Sequence, residues 1–121
     1  MQDKEFKELH DEIIKEISRL KKNNIAIIVE GQNDCSALES FGLRNIYELN
    51  KKPIYYVVEQ VISREKQCVI LTDLDSEGKK LYGKLNKHLS SFGIKIENRL
   101  RELLFKTKLR QIEGMQSYFE D

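Results

Sequence analysis

Two short apolar runs constrain this chain most. Ile25-Ala26-Ile27-Ile28-Val29 is mostly β-branched and stops at Glu30-Gly31, and the run from Gln67 to Thr72 stops at Asp73-Leu74-Asp75. Each is too short for a buried helix and too uniformly apolar for a strand with one wet face, so both are predicted to be strands covered on both sides. Strands buried in that way are parallel and need crossover connections, which the intervening sequence supplies.

Phe6, Leu9, Ile13, Ile17 and Leu20 recur every three or four residues among charged ones, which predicts an amphipathic helix over 3–22. After the first strand, Asp34 is expected to cap a short helix reaching about Phe41, with Gly42 ending it and a weaker strand over Asn45 to Leu49. Pro53 fits the first turn of a helix carrying Val57, Val58, Val61 and Ile62. Beyond the run at 67–72, Ser76 opens a helix with the stripe Leu81, Leu85, Leu89 and Phe92, followed by Gly93, a strand at Ile94 to Ile96 and a last helix over about 99–112. Strands alternating with helices give an α/β fold with a mostly parallel four-stranded sheet, helices on both faces and added N- and C-terminal helices. At 121 residues the chain is expected to form a single domain, 1–121, with its core at about 25–96.

The apolar runs fall far below the roughly 20 residues of a membrane helix. Met1 to Leu20 mixes acids and bases where a secretory signal needs an apolar core, so a cytoplasmic protein without a membrane span is expected. Cys35 and Cys68 form no CxxC pair and are read as buried, reduced thiols. His10 and His88 lack metal-ligand spacing, and Tyr55, Tyr56 and Tyr82 fall within helices as packing or surface residues. The net charge of +1 conceals an uneven distribution, since residues 79–110 hold ten basic residues against two acidic ones. Lys80, Lys84 and Lys87 fall in one row of the helix that Ser76 opens; phosphate contact and a solvated face are both open for them.

Glu30 ends the first strand, Asp73 and Asp75 end the third, and ligand sites of open α/β sheets lie at that edge. Asp73 and Asp75, two residues apart in extended backbone, project the same way, so three carboxylates could converge. Their mutual repulsion is tolerated where a cation neutralises it, and hard oxygen donors without nearby His or Cys suit Mg²⁺, with Mn²⁺ as a substitute. Gly31 and Gly78 are read as keeping the two loops open to a phosphate or an ion. A bare Asp-x-Asp after a strand also occurs as a turn or a helix cap.

Taken together, Val29-Glu30-Gly31-Gln32-Asn33-Asp34 and Leu71-Thr72-Asp73-Leu74-Asp75-Ser76-Glu77-Gly78, separated by two β-α units, resemble the two motifs of the Toprim domain shared by topoisomerases, primases and certain nucleases. The resemblance spans about Ile25 to Ile96. The short length, the Asn98-Arg99 step and Gln111-Ile112-Glu113-Gly114 look like the small stand-alone Toprim proteins of archaea and some bacteria, and the chain is also similar to the Toprim domain of the ribonuclease that matures 5S ribosomal RNA.

That resemblance implies a three-layer α/β/α, Rossmann-like Toprim domain. It implies that Glu30 serves as general acid or base and metal ligand, and that Asp73 and Asp75 hold Mg²⁺. The expected function is Mg-dependent action on nucleic-acid phosphodiesters, as a nuclease or in nucleotidyl transfer, in RNA processing or DNA repair. RNA or DNA is the expected partner. The alternative is a non-catalytic, metal-binding nucleic-acid-binding or adaptor module that needs a partner protein. A separate domain bearing a nucleophilic tyrosine or a zinc site, as in topoisomerases and primases, is not expected at this length.

Overall fold

The computed structural model describes residues 3–119. The elements are α1 (Asp3–Lys22), β1 (Ala26–Val29), α2 (Gln32–Glu39), β2 (Ile46–Glu48), α3 (Ile54–Arg64), β3 (Gln67–Ile70), α4 (Ser76–Ser91), β4 (Lys95–Glu97) and α5 (Arg99–Phe105). A 3₁₀ turn at Ile112–Gly114 leads into α6 (Met115–Phe119). The sheet runs β2-β1-β3-β4 and every pairing is parallel.

Side-chain alternation in the two central strands divides the core. Ile27, Val29, Val69 and Leu71 face Leu9, Ile13, Ile17 and Leu20 of α1, with Leu38 of α2 and Leu100, Leu103 and Leu104 of α5. Ala26, Ile28, Cys68 and Ile70 face Val57, Val58 and Val61 of α3 and Leu85 and Leu89 of α4. Helices therefore cover both faces, giving the three-layer α/β/α arrangement expected. Among the described residues no helix is long and apolar enough to cross a membrane.

Three local expectations are corrected. Asp34 is not the cap of α2: the helix starts at Gln32, and Asp34 lies one turn in, its Oδ2 accepting a 3.1 Å bond from Gly31 N. The helix ends at Glu39, and Gly42, at φ +89°, completes the turn. Cys35 is only half-buried, although Cys68 is buried as read.

The third correction shapes the site. The helix expected over about 99–112 stops at Phe105. Thr107 Oγ1 donates to Leu104 O at 2.6 Å and accepts from Leu109 N at 3.0 Å, so a side chain supplants the next helical bonds. Arg110 Nη1 then donates to Thr107 O and Leu109 O, at 2.9 and 2.7 Å, which holds the turn closed. The freed segment, residues 108–114, crosses the carboxyl edge of the sheet as a strap.

Candidate metal and nucleic-acid site

Glu30 leaves β1 between the ends of its two neighbours. Its carbonyl accepts from Asn50 N, beyond β2, at 2.8 Å, and its Oε2 accepts from Asp73 N, beyond β3, at 2.7 Å. The parallel register that pairs Ile28 with Ile70 runs on to set Glu30 opposite Thr72, within reach of the Asp73 amide. The two acidic motifs, 43 residues apart, meet directly through this bond.

Each remaining carboxylate also engages a backbone amide. Asp75 caps α4, its Oδ1 accepting from Gly78 N at 2.8 Å. Asp73 Oδ1 accepts from Ile112 N of the strap at 2.9 Å, and Leu74 N donates to Arg110 O at 2.7 Å. Among the described residues, no three His, Cys, Asp or Glu side chains stand close enough together to share one ion. Glu30, Asp73 and Asp75 thus gather at one edge, each with an oxygen directed to its own N–H. Their donor chemistry, all hard oxygens without nitrogen or sulfur, fits Mg²⁺ or Mn²⁺ and not a softer metal.

Burial pushes the Glu30 carboxyl above its usual range; the Asp73 and Asp75 charges push the same way, against the Asp73 N–H and Arg101. Asp73 is raised chiefly by burial, with Asp75 and Glu113 adding to it and the Ile112 N–H opposing it. Asp34 is pushed up to about 6, first by burial and then by Asp73, with the Gly31 N–H opposing and Glu30 and Glu113 adding further repulsion. The edge therefore collects more negative charge than the three motif residues alone carry.

Arg101 was not singled out in the sequence. It is 5% exposed, donates from Nη1 to Thr72 O at 2.5 Å and from Nη2 to Asp73 O at 3.1 Å, and stacks on Tyr82 and Phe105 at 4.8 and 5.2 Å from the ring centres. Burial lowers its pKa, an effect offset in part by Tyr82, Glu30, Asp73 and Asp75. Its place three residues before Leu104 and four before Phe105 puts it on the apolar stripe of α5, and a cation on such a stripe was the signal available.

The two glycines differ. A Cβ on Gly31 would meet nothing within 4 Å, so that loop is open as read. A Cβ on Gly78 would lie 1.8 Å from the Asp73 carbonyl oxygen. Gly78 N is bound by Asp75 and its carbonyl by Thr72 Oγ1 at 2.7 Å, so the residue serves the close seating of α4 on the loop and not the approach of a phosphate. Lys80, Lys84 and Lys87 are exposed, away from the buried Leu85 and Leu89 face of α4. The thiols of Cys35 and Cys68 are pushed up to about 12, mainly by burial, and stay protonated at neutral pH.

No family model matches the chain. A UPF0292 protein of Pyrococcus abyssi is 34% identical over 104 residues, covering 85% of this chain and 78% of its own. One of Methanocaldococcus jannaschii is 30% identical over 112 residues, covering 88% and 87%. A solved protein of Aquifex aeolicus superposes with a TM-score of 0.77 at 32% identity, over 86% of this chain and 95% of that one.

Proposed function

The chain belongs to the UPF0292 protein family, and from its site and motifs we propose that it is a cytoplasmic, Mg-dependent Toprim-domain protein acting on nucleic-acid phosphodiesters, as a nuclease or in nucleotidyl transfer. The observation that carries this reading is the bond from Asp73 N to Glu30 Oε2. It brings both acidic motifs together at the carboxyl edge of a parallel sheet, where α/β folds bind their ligands.

Asp73 and Asp75, with Glu30 beside them, would supply the oxygen ligands of Mg²⁺ or Mn²⁺; as folded here the three do not stand close enough to share one ion, so their side chains would have to turn from the amides they engage. When bound, such an ion polarises a phosphoryl oxygen and favours the developing charge. Glu30 is suited to proton transfer because burial and its acidic neighbours raise its pKa above the usual carboxylate range; Oε1, the oxygen not bound by Asp73 N, is the atom to carry the proton. Arg101 holds the Thr72 and Asp73 carbonyls and so fixes the backbone from which Asp73 and Asp75 project. The open Gly31 loop and the exposed row Lys80, Lys84 and Lys87 are available to phosphates.

The commitment of each carboxylate to a backbone amide favours a second reading, a non-catalytic nucleic-acid-binding or adaptor module completed by a partner protein. Incubation with labelled structured and single-stranded RNA and DNA, with and without Mg²⁺, separates the two. Metal-dependent cleavage lost in Glu30→Gln supports the enzyme. Binding without cleavage in any substrate supports the module, and neither binding nor cleavage removes both.

A further inference from the structure

The strap forms one wall of a cleft of about 620 Å³ that also contains Asp75, and this volume is in the usual range for ligand sites. Lys108 and Arg110 stand on that wall. The ion pairs among the described residues involve Arg19 and Arg99, so neither strap cation is paired with a carboxylate there, although Asp75 lines the same cleft. Arg110 is not a freely swinging charge, because its Nη1 is tied to the Thr107 and Leu109 carbonyls.

The remaining lining is of a different character. Tyr118 is half-buried and set in an aromatic cluster, 5.0 Å from Phe119, 5.6 Å from His10 and 6.5 Å from Phe6 between ring centres, so its ring is fixed in place. Gln111 and Ser117 add exposed hydrogen-bonding side chains. One fixed cation and one free among the described residues, a rigid aromatic ring and polar donors within one cleft form the combination that binds single-stranded nucleic acid, with phosphates on the cations and a base against the ring.

We propose that this cleft is the seat of a nucleic-acid single strand, with Lys108 and Arg110 on successive phosphates, Tyr118 against a base, and the backbone leading to Asp75. The inference rests on the functional reading above and relocates its binding surface. Along α4, Lys87 lies eleven residues beyond Ser76, roughly 16 Å from the acidic edge by helical rise. Lys108 and Arg110 instead share a cleft with Asp75, and two hydrogen bonds tie the strap to the acidic loop, from Ile112 N to Asp73 Oδ1 and from Leu74 N to Arg110 O. A strand in the cleft therefore meets Asp75 without a change in the fold.

The test is fluorescence anisotropy of short labelled single-stranded RNA and DNA in EDTA over a range of KCl, with the wild-type chain, Lys108→Ala/Arg110→Gln, and Lys80→Ala/Lys84→Ala/Lys87→Ala. The strap variant should bind more weakly and flatten the plot of log K against log salt by about 1.4, at roughly 0.7 per lost phosphate contact. RNA and DNA are compared in parallel arms, and either one responding in this way supports the proposal. Arg110→Lys should keep the wild-type slope. If the strap variant does not fold, Lys108→Glu replaces it, since the exposed Lys108 side chain makes no hydrogen bond among the described residues, and it should weaken binding at least as much as the loss of one contact.

A slope that falls only in the α4 variant overturns the strap site and leaves the functional reading standing. Failure of the wild-type chain to bind either polymer in EDTA overturns the strap site, and failure in Mg²⁺ as well overturns both. Displacement of the labelled strand by polyglutamate at equal charge would identify an acidic peptide as the ligand and overturn the nucleic-acid assignment.

Discussion

Asp73 and Ile112 lie 39 residues apart and are joined by a 2.9 Å hydrogen bond from the Ile112 amide to Asp73 Oδ1. A proposed metal ligand thus also anchors the strap. Asp73→Ala leaves the Ile112 amide without its acceptor and should cost about 1–3 kcal/mol. Asp73→Asn keeps an acceptor, removes repulsion from Asp75 and Glu113, and should be neutral or stabilising in EDTA. Urea denaturation of both variants checks the order; equal losses would mean that the carboxylate charge, and not the bond, holds the strap.

Asp75 has two roles that separate in the same way. As the cap of α4 it is replaceable by Asn at little cost, whereas Ala should lose about 0.5–2 kcal/mol whether or not metal is present. As a metal ligand it is not replaceable by Asn. An ion that binds only the folded chain adds about 2.7 kcal/mol at a hundredfold excess over Kd. Thermal melts in EDTA and in excess Mg²⁺ should show a rise in Tm for wild type and a much smaller one for Asp75→Asn. Identical rises would remove Asp75 from the site.

The raised pKa of Asp34 makes a prediction for metal-free protein. A carboxyl that reaches about 6 in the fold, against about 3.9 unfolded, binds its proton more tightly when folded. Its contribution to stability is full below pH 4 and is lost as pH rises through 6. In EDTA, Asp34→Asn should flatten the pH dependence of chemical denaturation between pH 4 and 6, with the variant relatively more stable at the upper end. An unchanged profile would place that proton elsewhere.

Arg101 and Gly78 set the loop geometry from beneath. Arg101→Met withdraws donors from the Thr72 and Asp73 carbonyls and should cost about 2–4 kcal/mol, with Arg101→Lys recovering part of it. Gly78→Ala would drive a methyl into the Asp73 carbonyl and should cost more than about 3 kcal/mol, whereas Gly31→Ala should stay within about 0.5 kcal/mol. Equal effects of the two glycine substitutions in denaturant titrations would refute the close approach of α4 to the loop.

What the sequence revealed followed from local pattern. The 3.6-residue stripe of α1, the β-branched run of β1 and the Ser76 start of α4 are properties of neighbours along the chain, and all three appear where expected. The placement of Glu30 beside Asp73 was legible because the ends of parallel strands share an edge. The strap was not: Leu109 and Ile112 continue an apolar pattern compatible with helix, and only the Thr107 side-chain bonds break it. Arg101 is not legible in the same way, because a guanidinium on an apolar face becomes intelligible only through the carbonyls it meets, 28 and 29 residues away.

The sheet itself restricts how another macromolecule can join this one. Its outer strands β2 and β4 are three residues each, and they expose no long ladder of amides. Glu97 of β4 is occupied by Arg19, and Lys95 brings a charge to the same margin. Short charged edges discourage strand addition. A protein that completes the chemistry is therefore better received as a helix against a helical face or as loops over the carboxyl edge than as a strand that extends the sheet from chain to chain.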